Sequence, residues 1–145
     1  QSGVNALDRQ ATRCRNRGFS LAESLVACAV AALLASAALP SMQGQRLRAG
    51  RLDAVAALTR VQAAQEQHLA AHGFYAGELA ALGLSNPNSP QGLYALSLQL
   101  QGSEAYRATA TPVGRQAQDG PCPVLTLHVD QGFPTEGPSS VCWQR

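Results

Sequence analysis

The apolar positions change their spacing twice along the chain. Across residues 19–39 nearly every side chain is apolar, with one carboxylate, Glu23, near the start. As a helix rising about 1.5 Å per residue, this stretch covers roughly 30 Å, the thickness of a bilayer's hydrocarbon core. After Pro40 the apolar side chains thin to Leu47, Leu52, Val55, Leu58, Val61 and Leu69, with Arg51, Arg60, Glu66 and Gln67 between them. That pattern predicts an amphipathic helix continuing the first, ending at His72 with Gly73 as its C-cap. Residues 19–72 then form one helix of roughly 80 Å. Gly, Pro, Asn and Ser crowd residues 73–92, which read as a connection pinned to the core by Leu79, Leu82 and Leu84. Three alternating runs follow: Tyr94, Leu96, Leu98 and Leu100; Tyr106, Ala108 and Ala110; Leu125, Leu127 and Val129. Each has one apolar face, which suits an antiparallel sheet lying on the amphipathic helix, an α+β fold. Asp130, Gln131 and Gly132 read as a turn and the Pro- and Gly-rich stretch to Pro138 as a loop, leaving at most a short edge strand near Cys142 and Trp143.

Pro40 interrupts the helical run. It lacks a backbone donor, so the carbonyl of Ser36 loses its usual partner and a kink is expected. Gly44 and Gly50 weaken the following turns.

Charge sets the topology. Arg9, Arg13, Arg15 and Arg17 precede the apolar span, and the positive-inside rule keeps that flank cytoplasmic and sends the chain after Leu39 outward. An ordinary secretory signal, cut near Ser36, Ala37 and Ala38, is the alternative. It leaves Glu23 unexplained, because a carboxylate in a membrane helix costs about 2.5 to 3.5 kcal/mol at the centre and less toward the ends, and is retained for a partner. The formal net charge of +2 divides unevenly. Residues 1–18 carry +3, whereas residues 19–145 hold 7 Arg against 8 Asp plus Glu, or −1. Arg46, Arg48 and Arg51 cluster just after the span, where anionic headgroups or carboxylates of neighbouring subunits are expected rather than nucleic acid. DNA binding calls for a basic stripe, and the balanced charge of the outer region counts against one. All 11 basic residues are Arg, which reads as compositional bias.

Residues 18–23, Gly-Phe-Ser-Leu-Ala-Glu, with the basic flank, the apolar span and Pro40, resemble the processing motif of the type IV pilin family. Ala110, Thr111, Pro112, the Cys122-Pro123-Val124-Leu125 run, Asp130-Gln131-Gly132 and Cys142-Trp143 are similar to PilE-type minor pilins. The resemblance implies a fold in which a long N-terminal helix, its first half membrane-spanning, packs on a small antiparallel sheet with a disulfide-bounded C-terminal loop. It implies three parts: a cytoplasmic leader, 1–18, removed by a prepilin peptidase; a membrane and filament-core helix, 19–39; and an extracytoplasmic head, 40–145. Cleavage falls between Gly18 and Phe19, and Phe19 is N-methylated. Glu23 and Pro40 then serve assembly. The carboxylate of Glu23 would meet the new amine of Phe19 in an adjacent subunit, the alternative being a carboxyl that snorkels or stays protonated. The turns after Pro40 could lose helicity in the filament and lend extensibility.

Of the four cysteines, Cys14 lies in the leader and Cys28 in the span, so only Cys122 and Cys142 share an oxidising compartment. A disulfide between them, as in pilins, closes a loop worth about 3 kcal/mol in the chain-entropy model. His68 and His72 stand four apart but have no third ligand at metal spacing, and they are read as solvent-facing residues at a helix end, with no metal and no cofactor. No nucleophile elbow, phosphate loop or cleft-forming carboxylate pair points to an enzyme. The expected function is a structural, minor-pilin-like subunit of a type IV pilus that forms or primes the filament for motility, adhesion or DNA uptake. It begins as a single-pass precursor in the bacterial inner membrane and ends in the pilus at the cell surface. Its partners are other pilin subunits, the peptidase, the assembly motor and platform, and the inner membrane. The alternatives are a type II secretion pseudopilin, disfavoured by the disulfide and the lack of an acidic calcium-binding cluster, and a DNA-uptake or adhesive pilin acting as a surface binding module.

Overall fold

The computed structural model describes Gly18 and residues 20–144. Phe19 and the predicted leader, apart from Gly18, lie outside the described residues. The chain divides into two compact units, Gln1–Ala38 and Leu39–Arg145.

One helix, α1, runs over Leu21–His72. Ser20 starts it: its Oγ accepts the N–H of Glu23 at 3.3 Å and its carbonyl accepts that of Ser24 at 3.0 Å. A serine followed three residues later by a glutamate is the pattern of a capping box, and it places Glu23 in the first turn, where the helix dipole favours an anion. In the first unit the apolar side chains, Leu21, Leu25, Val26, Leu33 and Leu34 among them, are exposed, and the stretch is long and apolar enough to cross a membrane. The helical assignment runs through Pro40, Gly44 and Gly50. Gly73 ends α1 as expected: it takes φ +82° and donates its N–H to the carbonyl of Leu69 at 2.8 Å.

In the second unit α1 buries Ala54, Val55, Leu58 and Val61. Leu52 was expected on that face, yet it is exposed. At 3.6 residues per turn it stands about 120° from Leu58, off the stripe that Val55, Leu58 and Val61 define. The covering layer is a four-stranded antiparallel meander, β1 (Tyr94–Leu100), β2 (Ala105–Pro112), β3 (Leu125–Asp130) and β4 (Phe133–Gly137), paired in chain order. Tyr94, Tyr106, Ala108, Ala110, Leu125, Leu127 and Val129 face the helix, as their alternation predicts, and Leu79, Leu82 and Leu84 pack on the same core.

The fourth strand corrects the reading of residues 133–137 as a loop. Gln131 and Gly132 both adopt positive φ, +50° and +82°, and close a two-residue hairpin whose ends, Asp130 and Phe133, pair. Pro134 and Gly137 made the run look irregular, but Pro134 is tolerated because β4 is an edge. The predicted edge strand near Cys142 and Trp143 is instead a 3-10 turn, Ser140–Trp143.

Two polar side chains on the buried face of α1 hold the connections. Gln65 exchanges two hydrogen bonds with the backbone of Ala76, both 2.8 Å. Asp53 accepts the hydroxyl of Ser89 and the N–H groups of Gln91, at 2.9 Å, and Leu93, at 3.3 Å. Tyr106, by contrast, is fully buried beside Tyr75, ring centroids 4.8 Å apart, and its hydroxyl has no hydrogen-bond partner among the described residues. Burial pushes its pKa well above the ordinary value. The sign follows: a native phenol harder to ionise than the unfolded one stabilises fully below about pH 10, and that contribution is lost as pH rises further. Because an unpaired buried hydroxyl costs about 1–3 kcal/mol, Tyr106→Phe is expected to leave stability unchanged or raise it at neutral pH, and to flatten the alkaline decline. Urea midpoints at pH 7 and pH 10.5 check this; a loss above about 1 kcal/mol at pH 7 contradicts the unpaired hydroxyl.

Candidate functional site

The N-terminal site begins at Gly18, which lies outside any helix and is exposed, followed by the Ser20 cap and α1. Glu23 is exposed on the first turn, and its carboxylate has no ion-pair partner among the described residues. The cleavage position and the amine expected to meet Glu23 involve Phe19, outside those residues.

Where the second unit begins, α1 meets the connection between β2 and β3. That connection holds a 3-10 turn, Gly114–Gln118, followed by Asp119. Asp119 forms a two-point pair with Arg51: Nε to Oδ2 at 2.6 Å and Nη2 to Oδ1 at 2.7 Å, both residues buried. One residue earlier, Gly50 leaves room for Gln116; a Cβ there would stand 2.7 Å from its Cδ. Gln116 Nε2 donates to the carbonyl of Leu47 at 2.9 Å and lies 3.0 Å from the Tyr94 hydroxyl. Contrary to the expectation from its place beside Arg46 and Arg48, Arg51 is no surface cation: it is buried and its charge is spent on Asp119. Arg46, Arg48 and Arg115 are exposed, and none has an ion-pair partner among the described residues.

Cys122 and Cys142 are disulfide-bonded and buried, with Cα atoms 5.7 Å apart. The bond ties the C-terminal turn to the segment leading into β3, and the indole N–H of Trp143 donates to the Gly137 carbonyl at 2.8 Å. Cys28 is free and exposed in the apolar part of α1.

The outer face of the sheet is polar. One row across it is Gln99, Arg107, His128 and Thr135; the next is Ser97, Thr109, Thr126 and Gly137. Asp130 lies one step further along β3, toward the hairpin. At the end of α1, His68 and His72 stack with centroids 4.2 Å apart. Each uses its Nδ1 on a backbone carbonyl, His68 on Phe74 at 2.9 Å and His72 on His68 at 3.2 Å. Among the described residues no group of three or more metal-ligating side chains forms.

A helix that is apolar first and amphipathic after, laid on a four-stranded antiparallel meander with a disulfide near its C-terminus, defines a type IV pilin. Residues 13–39 match the prokaryotic N-terminal methylation motif. Residues 40–126, more than half of the chain, match the family described as type IV minor pilin ComP, DNA uptake sequence receptor. The chain belongs to this family of minor pilins, and it is a membrane-anchored precursor that enters a pilus and associates with other pilins. No individual curated protein matches it.

Proposed function

We propose that this chain is a minor subunit of a type IV pilus that receives DNA at the filament surface. The match of residues 40–126 to a family described as a DNA uptake sequence receptor carries the reading. It favours the alternative that balanced charge counted against. A whole-head sum of charges does not weigh a receptor that reads DNA through hydrogen bonds and few phosphate contacts. The outer sheet face suits that role: Gln99, Thr109, Thr126 and His128 offer donors and acceptors around Arg107, the cation of the central row. Arginine and glutamine are the side chains that pair with base edges in two-point fashion.

The remaining steps follow the methylation motif. A prepilin peptidase in the bacterial inner membrane cuts between Gly18 and Phe19, Phe19 is methylated, and residues 19–39 hold the subunit in the bilayer until the assembly platform extracts it. In the filament Glu23 pairs with the Phe19 amine of a neighbour, and the turns after Pro40 can lose helicity under load. The subunit is structural and performs no catalysis.

The test is a deletion strain complemented with wild type, Arg107→Gln or no gene, scored for DNA uptake beside pilus number. Arg107→Gln is expected to lower uptake about fivefold or more with pili intact, since a two-point base contact is worth about 1–3 kcal/mol. Normal uptake in the strain without the gene rejects the DNA reading; normal uptake in Arg107→Gln alone rejects the sheet face as the contact surface.

A further inference from the structure

The charges of the head balance in sum but are separated along its length. Near the start of the second unit, Arg46 and Arg115 line one hollow of about 310 Å³, and neither has an ion-pair partner among the described residues. Glu66 follows Arg46 by 20 residues, about 30 Å along α1. There a second hollow, of about 390 Å³, opens between the end of α1, the β1–β2 connection and the β3–β4 hairpin. Its walls carry Glu66, Leu69, Tyr75, Ser103 and Glu104, and Asp130 stands one residue before Gln131, which also lines it. We propose that this acidic hollow receives an arginine from the Arg46 and Arg115 end of a second copy of the chain, joining heads end to end.

Neither acid is neutralised from within the chain. Tyr75 donates its hydroxyl to Glu66 Oε1 and Gln131 donates Nε2–H to Glu104 Oε2, both at a long 3.4 Å, and neither carboxylate has an ion-pair partner among the described residues. The arginines at the far end of the same head cannot compensate them, because exposed charges are screened over roughly 8 Å at physiological salt. Each end therefore lacks a counter-charge that only a neighbour supplies. The wall is short of donors as well. Tyr106 packs against Tyr75 there, ring centroids 4.8 Å apart; it is fully buried, and its hydroxyl, kept from ionising by burial and then by the charge of Glu66, has no hydrogen-bond partner among the described residues. A guanidinium brings five N–H donors and no acceptor, and its apolar stem suits Leu69. A bare metal ion suits the hollow less, since no group of three or more metal-ligating side chains forms among the described residues. All 11 basic residues of the chain are Arg, so a second copy offers this group and no ammonium side chain. Because the two surfaces differ, the contact is heterologous: each copy gives its basic end to one neighbour and its acidic end to another, the arrangement that builds open helical arrays.

The experiment is sedimentation velocity of the full chain in non-ionic detergent at low salt. Wild type is expected to form oligomers that grow with concentration and dissociate at high salt. Glu66→Gln with Glu104→Gln removes one end of the contact, and Arg46→Gln with Arg115→Gln removes the other. Each double variant alone is expected to associate about tenfold more weakly than wild type or worse. Mixed in equal amounts, the two restore a dimer of wild-type affinity that grows no further, because each supplies the end the other lacks. All four side chains are exposed, so the variants are expected to fold, and urea midpoints measured alongside check this. Arg107→Gln on the sheet is expected to associate as wild type does. A wild type that stays monomeric at every concentration overturns the proposal, as does either double variant associating like wild type, a mixture that stays monomeric, or an equal loss in Arg107→Gln.

Discussion

Asp119→Ala is expected to destabilise the head by about 3–5 kcal/mol, the range for removing one partner of a buried ion pair. The loss comes less from the vanished attraction than from what stays behind. Arg51, buried against the turn after β2, keeps a guanidinium that cannot discharge and has no other carboxylate in reach among the described residues. The position of the pair adds to the effect: it fastens the segment between β2 and the disulfide to α1, beside the Gln116 contact on Leu47. Arg51→Met with Asp119→Leu should recover most of the stability, since well-packed apolar replacements of buried pairs are often neutral or stabilising. Urea denaturation of the three variants measures this. A single variant within about 0.5 kcal/mol of wild type would show the pair to be solvated and its geometry of no energetic consequence.

Glu23→Ala is expected to reduce incorporation into filaments at least tenfold while cleavage at Gly18 proceeds normally. A carboxylate in lipid costs about 2.5 to 3.5 kcal/mol at the centre of a membrane helix and less toward the ends, and under the pairing account a partner formed during assembly compensates it. Glu23→Gln separates charge from shape: the amide preserves the side chain's size and hydrogen-bonding reach but cannot form the ion pair. Under the pairing account it fails as Ala does. Recovery of sheared pili carrying either variant at wild-type abundance removes the pairing from the account, leaving Ser20 and Glu23 as a cap alone.

The long helix, three of the strands and the disulfide were legible because each leaves a local trace. A 21-residue apolar run, a period-two alternation and two cysteines outside the membrane need no knowledge of distant neighbours. The Ser20 cap is also visible in the sequence, as a serine three residues before a glutamate, although the charge of Glu23 in lipid is the stronger signal at that position. What was hidden is what depends on meeting. Arg51 and Asp119 are 68 positions apart, and an arginine after a membrane span looks like a headgroup ligand until its partner is seen. Asp53 and Gln65 carry no local signal of burial, yet they satisfy backbone groups of the connection after α1, a role set by where that connection crosses the helix. Strand β4 was missed for a different reason. Proline and glycine mark loops on average, but an edge strand leaves one side of its backbone unpaired, so Pro134 costs it no ladder bond. The expected function, a minor pilin of a type IV pilus with DNA uptake among its roles, was legible at the N-terminal motif; net charge could not rank those roles, because it sums over the whole surface and is blind to where a cation such as Arg107 stands on the sheet.

The central claim is that this minor pilin is a DNA receptor. The most direct measurement is selection of bound duplexes from a random pool by the purified, cleaved protein in detergent, followed by sequencing. The account predicts convergence on one short motif whose affinity falls with Arg107→Gln. A pool that stays random through repeated rounds, or no recovery of DNA above a protein-free control, contradicts it.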